Sequence, residues 1–116
     1  MNRMKVVYIA GPFRAATSWG IEQNVRAAEA VALEVAKLGA MPMCPHKNTQ
    51  HFHGLLTAQF WIDGTLELMR RCDAVMLVGD WRSSSGTMGE MDEAARIKIP
   101  IFEKLEQLER WLGNVD

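Results

Sequence analysis

The order of apolar and amphipathic segments predicts a three-layer α/β fold, with helices on both faces of a flavodoxin-like or Rossmann-like parallel sheet of four to five short strands. Short apolar runs of strand length alternate along the chain with longer segments of helical periodicity. Strands joined through helices pair in parallel by right-handed crossovers, which place helices on both faces of the sheet. With 116 residues, the chain is expected to form a single domain, 1–116.

The first two predicted strands flank the most regular helix. Met4–Ala10 is apolar and β-branched and stops at a Gly-Pro turn, which predicts a buried first strand. Glu22–Leu38 carries apolar residues at helical spacing. Ala40–Cys44 is a short second strand, and Pro42 within it predicts an edge position because proline has no N–H for the ladder.

The second half of the chain repeats this alternation. Its predicted elements are a polar loop with all three histidines (Pro45–Leu56), a helix (Ala58–Arg71), a strand (Ala74–Val78), a helix continuing through Glu90–Lys98, a short strand (Pro100–Phe102) and a terminal amphipathic helix (Lys104–Leu112). Ligands of such sheets bind beyond the carboxyl ends of the strands, where the strand order reverses. The loops Gly11–Arg14, Pro45–Asn48 and Trp81–Glu90 are therefore expected to converge on one site.

Composition excludes several classes of function. A formal net charge of −1 without a long basic run argues against a nucleic-acid polymer as partner. No apolar stretch approaches the roughly 20 residues of a membrane span, which argues against a membrane partner. Cys44 and Cys72 do not form a CxxC pattern and no signal peptide is evident, so we expect reduced thiols in a cytoplasmic protein.

The first loop is a candidate ligand-binding turn. Gly11, Pro12 and Phe13 would bring the backbone close to a ligand, and Arg14 offers planar donors for phosphate or carboxylate. The run lacks the GxGxxG pattern of dinucleotide sites, and an ordinary turn is the alternative reading. The Tyr8 hydroxyl would reach the same edge, unless Tyr8 is simply a packed core residue.

The stretch Ser83–Glu93 is predicted to contain a polar turn and the first turn of a helix. Such a turn aims backbone N–H groups and hydroxyls at an anion, and a Glu90 carboxylate beside that cradle suggests chemistry at a sugar. The candidate binding residues here are Ser84, Ser85, Gly86 and Met88. The alternative is that Ser85 or Thr87 caps the helix and the glutamates complement its dipole. Glu90 and Glu93 share a helix face.

Other polar side chains leave alternatives open. Asp63, at the predicted start of the second helix, either caps it or supplies the second carboxylate that glycosidic chemistry normally needs. His46 or Asn48 is expected to line a ligand pocket, whereas His51 and His53 are expected to be exposed. The H-x4-H-x-H spacing matches no common zinc site, so no metal is predicted.

The four tryptophans fall into two pairs. Trp61 and Trp111 lie in predicted helices, where packing or a subunit contact is expected. Trp19 and Trp81 lie in predicted loops at the ligand edge, where a ring would stack on a nucleobase or anchor its own loop.

The chain resembles the nucleoside 2-deoxyribosyltransferase superfamily, which includes the 2-deoxynucleoside 5-monophosphate N-glycosidases and small bacterial and phage members of unassigned function. Three motifs carry the resemblance, and they are Tyr8-Ile9-Ala10-Gly11-Pro12-Phe13-Arg14, Cys72-Asp73-Ala74-Val75 and Ser84-Ser85-Gly86-Thr87-Met88-Gly89-Glu90. The resemblance implies that Glu90 is the nucleophile that attacks the anomeric carbon, and that Ser84 lies where monophosphate-specific members hold the 5-phosphate. It also implies that Tyr8, Gly11 and Arg14 line the site, with Tyr8 near the catalytic carboxylate.

The chain departs from the family pattern at two places. Asp92 stands where the family often has glycine two residues after its nucleophile. Asp63 is displaced by about two positions from the spacing of the family's helper aspartate, so Glu90 is the better supported of the two carboxylates.

These observations predict an enzyme that breaks the N-glycosidic bond of a nucleoside or nucleoside 5-monophosphate, by hydrolysis or transfer. Glu90 is the expected nucleophile, assisted by Tyr8 and Asp63, and no cofactor is needed because a side chain can protonate the leaving base. A small-molecule nucleoside or nucleotide is the expected partner, and a homodimer or larger homo-oligomer is the expected assembly. The alternatives are a nucleotide-binding or sensing module without turnover and a purely structural domain.

Overall fold

A computed structural model of the protein describes residues 3–52 and 54–113. The elements are, in chain order, β1 (Val6–Ala10), α1 (Ser18–Lys37), β2 (Met41–Met43), α2 (Pro45–Asn48), α3 (Ala58–Arg70), β3 (Ala74–Leu77), a 3₁₀ turn (Trp81–Ser83), α4 (Ser85–Arg96), β4 (Ile101–Phe102) and α5 (Leu105–Gly113). None of the helices in these residues has the length and apolarity required to cross a bilayer.

The four strands form one parallel sheet in the order β2-β1-β3-β4. This arrangement confirms the predicted α/β class, and it confirms that the strand containing Pro42 lies at an edge. Because β2 and β3 lie on opposite sides of β1, the strand order reverses between β1 and β3. The crevice expected for a ligand therefore opens at the carboxyl ends of these two strands.

Alternation along β1 divides the core into two layers. Val7 and Ile9 pack into a cluster with α1 and α5, on one face of the sheet. Tyr8 and Ala10 point to the other face, where they join Met69 of α3 and other apolar residues of the second cluster. This period-2 pattern places the Tyr8 ring on the face that α3 and α4 cover.

α1 begins at Ser18, four residues before the predicted start at Glu22. The side chain of Thr17 caps the helix by accepting a hydrogen bond from the Gly20 N–H at 3.0 Å. Trp19 therefore lies in the first turn of α1 with 71% of its surface exposed, and the prediction that it sits in a loop was wrong.

Two helix caps differ from the sequence-based expectations, although α3 begins at the predicted residue, Ala58. α3 begins behind the Thr57 cap, so Asp63 lies within the helix and does not cap it. α4 is capped by Ser84, and not by Ser85 or Thr87. In the predicted polar loop, Pro45–Asn48 forms one helical turn, for which proline at the first position is preorganised.

Candidate functional site

A cleft of about 720 Å³ opens at the carboxyl edge of the sheet, a volume typical of small-molecule sites. Residues of all three predicted loops line it: Gly11–Arg14, the start of α2 and the turn leading into α4. The expected convergence of these loops is therefore present in the structure. A fourth side of the cleft is formed by α3 and the segment that precedes it.

Tyr8 and Glu90 form a hydrogen-bonded pair in this cleft. The Tyr8 side chain is fully buried, and its phenol donates to Glu90 Oε2. Burial raises the pKa of Glu90 to about 7, although the hydrogen bond from Tyr8 opposes this rise. Burial and the neighbouring Glu90 charge also raise the pKa of Tyr8 well above its ordinary value. Near neutral pH, Glu90 therefore exists in both protonated and ionised forms beside a phenol that stays neutral.

The first loop approaches the end of β3 so closely that Gly11 has no room for a side chain. A Cβ at Gly11 would lie 2.8 Å from the Cβ of Val78. The Asn24 side-chain amide donates to the Phe13 carbonyl at 3.0 Å and holds the loop from α1. Pro12, Phe13 and Arg14 all line the cleft, as the sequence predicted.

His46 is buried and supports the same loop. Its Nε2 donates to the Pro12 carbonyl at 2.8 Å, which places the proton of the neutral ring on Nε2. Its ring lies edge-on to Phe13 with the centroids 5.3 Å apart. Burial lowers the pKa of His46, so the ring stays neutral at physiological pH. His46 lines the cleft as predicted, but its Nε2 already donates a hydrogen bond to the Pro12 carbonyl of the first loop.

The first turn of α4 supplies donors to the cleft. Ser84 Oγ accepts hydrogen bonds from the Thr87 N–H at 3.2 Å and from the Thr87 hydroxyl at 2.9 Å. Ser84, Ser85 and Gly86 line the cleft, and the first N–H groups of a helix have no intrahelical partners. Arg14 lines the same cleft, and no carboxylate within residues 3–52 and 54–113 pairs with it. Helix N-terminal N–H groups and a guanidinium are groups that favour a bound anion.

Two predicted site residues lie outside the cleft lining because of their helix positions. Asp63 is exposed on α3, where its Oδ1 accepts a hydrogen bond from Gln59 Nε2 at 2.7 Å. Met88 is two positions from Glu90, so it points to another side of α4, and it is 41% exposed. The structure does not bring Asp63 to Glu90.

Asn48 and Trp81 also lie outside the lining. Asn48 is exposed at the end of the α2 turn. Trp81 packs against the second core cluster, and the Arg82 guanidinium covers its ring at 4.1 Å from the centroid. The ring of Trp81 anchors its own turn, which was the alternative reading of the sequence.

The cleft wall on α3 was missed by the sequence analysis. Its residues form two i, i+4 pairs that face the cleft, Trp61 with Thr65 and Ile62 with Leu66. Trp61 packs edge-on to Phe60, with the centroids 5.0 Å apart. The Trp61 Nε1 is buried and has no hydrogen-bond partner in the part of the chain that the structure describes. Helical spacing alone does not distinguish such a wall from a core-facing stripe, and Trp61 was assigned to packing or a subunit contact.

No cluster of three or more His, Cys, Asp or Glu side chains within the described ranges is arranged to hold a metal ion. His46 is held by the Pro12 carbonyl, and His51 is exposed in a turn at a φ of 75°. The expectation for His53 lies outside the described residues.

Comparison with known proteins gives one match to a family and a likeness of fold. The model of a family described as a domain of unknown function (DUF7768) matches residues 5–104. No curated protein shows significant similarity to the chain. Among solved structures, a 2-deoxyribosyltransferase from the psychrotolerant bacterium Bacillus psychrosaccharolyticus superimposes with a TM-score of 0.60 at 22% identity, covering 83% of this chain and 69% of that chain. At this identity, the likeness establishes a shared fold.

Proposed function

The chain belongs to the DUF7768 family, and we propose that it cleaves the N-glycosidic bond of a nucleoside or nucleoside 5-monophosphate, with Glu90 as the nucleophile. The observation that carries the proposal is the Tyr8–Glu90 pair, a sheltered carboxyl oriented by a phenol within a ligand-sized cleft. Support also comes from the fold shared with a 2-deoxyribosyltransferase, a protein described as a biocatalyst for nucleoside synthesis.

The chemistry along α4 suggests how such a ligand would lie. Ser84–Gly86 and Arg14 suit a 5-phosphate or a 5-hydroxyl, because they offer N–H groups, hydroxyls and a cation. Glu90 follows Ser85 by five positions, or about 7.5 Å along the helix axis, a span that a pentose 5-phosphate can bridge. The apolar wall of Trp61 and Ile62 would then receive the base.

The proposed reaction proceeds through a glycosyl ester. An ionised Glu90 oxygen forms a bond to the anomeric carbon while the N-glycosidic bond breaks, and the departing base keeps that electron pair and is protonated from water. Water, or a second base in a transfer reaction, then attacks the anomeric carbon, and the Glu90 carboxylate leaves. The Tyr8 phenol donates to the carboxyl throughout and holds the attacking oxygen in position.

One observation favours the alternative of a binding module without turnover. Within the described residues, Glu90 is the only carboxylate of the cleft lining, whereas glycosidic chemistry normally uses two. A module of this kind would bind the same ligand without releasing base.

The test is incubation of the purified protein with nucleosides and their 5-monophosphates, in ribose and deoxyribose forms, followed by chromatography for free bases. Under the proposal, at least one base is released, and the Glu90→Gln variant releases none above background. Thermal stabilisation by one ligand without any release would instead establish the binding module, because a ligand of the folded state raises its stability. If no base is released and no ligand of the panel stabilises the protein, the enzyme and the binding module are both contradicted.

The homodimer or larger homo-oligomer and the cytoplasmic location expected from the sequence remain predictions. Four large apolar side chains of α3 and the segment before it are exposed, and two of them, Leu56 and Ile62, line the cleft. Their exposure is consistent with the expected homodimer or larger assembly. Sedimentation of the purified protein would measure its subunit number.

A further inference from the structure

Hydrogen bonds from α1 hold two carbonyl groups of the loop that follows β1. The Asn24 side-chain amide donates to the Phe13 carbonyl at 3.0 Å and to the Arg14 carbonyl at 3.4 Å. An asparagine amide has two N–H donors, so one side chain can serve both carbonyls. Two successive carbonyl groups of the first loop therefore face α1.

A missing side chain on the same face of α1 lets the loop come close to the helix. Gly20 precedes Asn24 by four positions, which places both residues on one face. A Cβ at Gly20 would lie 2.6 Å from the Cβ of Ala15, which is too short for two carbon atoms that are not bonded. Gly20 and Asn24 thus hold residues 13–15 against α1, and neither of the two belongs to the cleft lining.

The geometry of the peptide bond then sets the direction of the Arg14 N–H. Every peptide bond within residues 3–52 and 54–113 is trans, and in a planar trans peptide the C=O and the N–H point in opposite directions. The Phe13 carbonyl and the Arg14 N–H belong to one such peptide. Because the carbonyl points to Asn24 on α1, the N–H points away from α1, toward the cleft that Phe13 and Arg14 line.

An N–H directed into the cleft and carbonyls directed out of it favour an anionic ligand. No acceptor in the described part of the chain takes the Arg14 N–H. The Arg14 guanidinium likewise has no carboxylate partner there. A carbonyl oxygen that faced the cleft would repel a phosphate, and Asn24 holds two such oxygens on the other side of the loop.

We propose that Asn24 is a positioning residue for the phosphate of the substrate, which acts by orienting the Phe13–Arg14 peptide so that the Arg14 N–H donates to a phosphate oxygen. The inference rests on the proposed function and narrows its substrate to a nucleoside 5-monophosphate. Arg14 then offers two donors to the same group, its backbone N–H and its guanidinium.

The test uses 2-deoxyribose 5-phosphate as the probe, because this sugar phosphate has no N-glycosidic bond for the protein to cleave. NMR of nitrogen-15-labelled protein follows the Arg14 amide proton and gives the dissociation constant of the probe. We expect this proton to move downfield on binding, since a hydrogen bond to an anionic oxygen deshields it. The matched sugar 2-deoxyribose, which lacks the phosphate, should leave the proton where it is.

Two variants then test Asn24 itself. Asn24→Ala removes both bonds to the loop, and Asn24→Asp keeps the side-chain shape but replaces the donors by a carboxylate that only accepts. Both variants should bind the probe about tenfold more weakly than wild type, with a smaller Arg14 amide shift at saturation. Gln23→Glu is the matched control, because it makes the same change from amide to carboxylate at an exposed neighbouring position of α1. Its affinity should stay within about twofold of wild type.

Four results would each overturn the inference. They are a probe that does not bind the wild type, a bound probe that leaves the Arg14 amide proton unshifted, an equal shift with 2-deoxyribose, and Asn24 variants with wild-type affinity or an undiminished shift. The measurements on the wild type decide the question even if a variant does not fold.

Base release separates the inference from the proposed function. With an accepted 5-monophosphate, Asn24→Ala should raise KM about tenfold and leave kcat within about threefold, because a contact to a group that does not react contributes uniform binding. Base release by a protein whose Arg14 amide does not respond to the probe would contradict the inference alone. A shifted amide in a protein that releases no base would contradict the proposed function alone.

Discussion

Glu90 and Glu93 lie one turn apart on α4, and their surroundings differ in every respect that affects a carboxylate. Glu90 is sheltered in the cleft beside a neutral phenol, and burial raises its pKa to about 7. Glu93 accepts hydrogen bonds from Arg96 at 2.7 and 2.8 Å and from Arg70 at 2.7 Å. These guanidinium groups, Arg96 first and then Arg70, lower the pKa of Glu93 to about 2.

The difference shows that neighbouring elements, and not the helix itself, set the surroundings and the pKa of each carboxylate. Arg70 lies at the end of α3, so its bond to Glu93 ties α3 to α4. No cation in the part of the chain that the structure describes pairs with Glu90, which instead accepts a hydrogen bond from the buried Tyr8 phenol of β1. A carboxylate held by two guanidinium groups is committed to structure, whereas Glu90 remains available for chemistry.

The largest expected effect is on catalysis. Glu90→Gln should lower base release by a factor on the order of 10³ or more, because the amide is a poor nucleophile. Glu93→Gln serves as the matched control on the same helix and should stay within about threefold of wild type. Single-turnover assays on an accepted substrate measure both. Equal losses in the two variants would contradict the distinction between the carboxylates.

The pH dependence of base release should follow the ionisation of Glu90 and not that of Glu93. Under the proposed function, Glu90 must be ionised to attack, and its pKa is about 7, so kcat/KM should rise tenfold per pH unit below that value and level off above it. At pH 5, the rate would then be about 1% of the plateau. Glu93, with a pKa of about 2, stays ionised throughout this range. A profile that is flat between pH 5 and 8 would argue against Glu90 as the ionising group.

Tyr8→Phe should move the same profile toward alkaline pH. The Tyr8 hydrogen bond opposes the rise in the Glu90 pKa, so its removal should raise the midpoint by about 1–2 pH units. Base release at pH 7 would fall on the order of tenfold as a result, with partial recovery at pH 9. A rate that falls by the same factor at every pH would assign Tyr8 a role other than setting the ionisation of Glu90.

The two glutamates should also affect the free energy of unfolding, with opposite sign. The folded pKa of Glu90 lies above the ordinary value of 4.5, so its favourable contribution is present below pH 4.5 and is lost as the pH rises through about 7. The unfolding free energy of Glu90→Gln, measured relative to wild type, should increase by about 2–3 kcal/mol as the pH rises from 5 to 9.

Glu93 follows the opposite rule, because its folded pKa is lowered and its contribution is complete above pH 4.5. Glu93→Gln should therefore be less stable than wild type by an amount that stays constant from pH 5 to 9 and shrinks in high salt. Urea unfolding of the two variants at several pH values measures both trends. A gain for Glu90→Gln that does not depend on pH would contradict the assignment of a buried, ionisable Glu90.

Much of the fold and part of the site could be predicted from local sequence patterns. The apolar runs marked the strands, Pro42 marked the edge strand, and the Gly-Pro and Ser-Gly turns marked two loops of the cleft. The wall formed by Trp61 and Thr65 could not be predicted, since its i, i+4 spacing is the same for a residue that faces a core and one that faces a ligand. Asp63 was assigned too early in its helix because Thr57 was not recognised as the cap.

The sequence by itself determined the alternation of strands and helices and the edge at which ligand-binding loops collect, because these depend on local periodicity and turn chemistry. Only the tertiary structure decided which carboxylate is sheltered. Tyr8 and Glu90 are 82 positions apart, and their contact depends on how β1 and α4 pack. The contact of Arg70 with Glu93 likewise depends on the packing of α3 against α4. Burial and nearby charge set the pKa of a carboxyl, and both arise from the arrangement of distant segments.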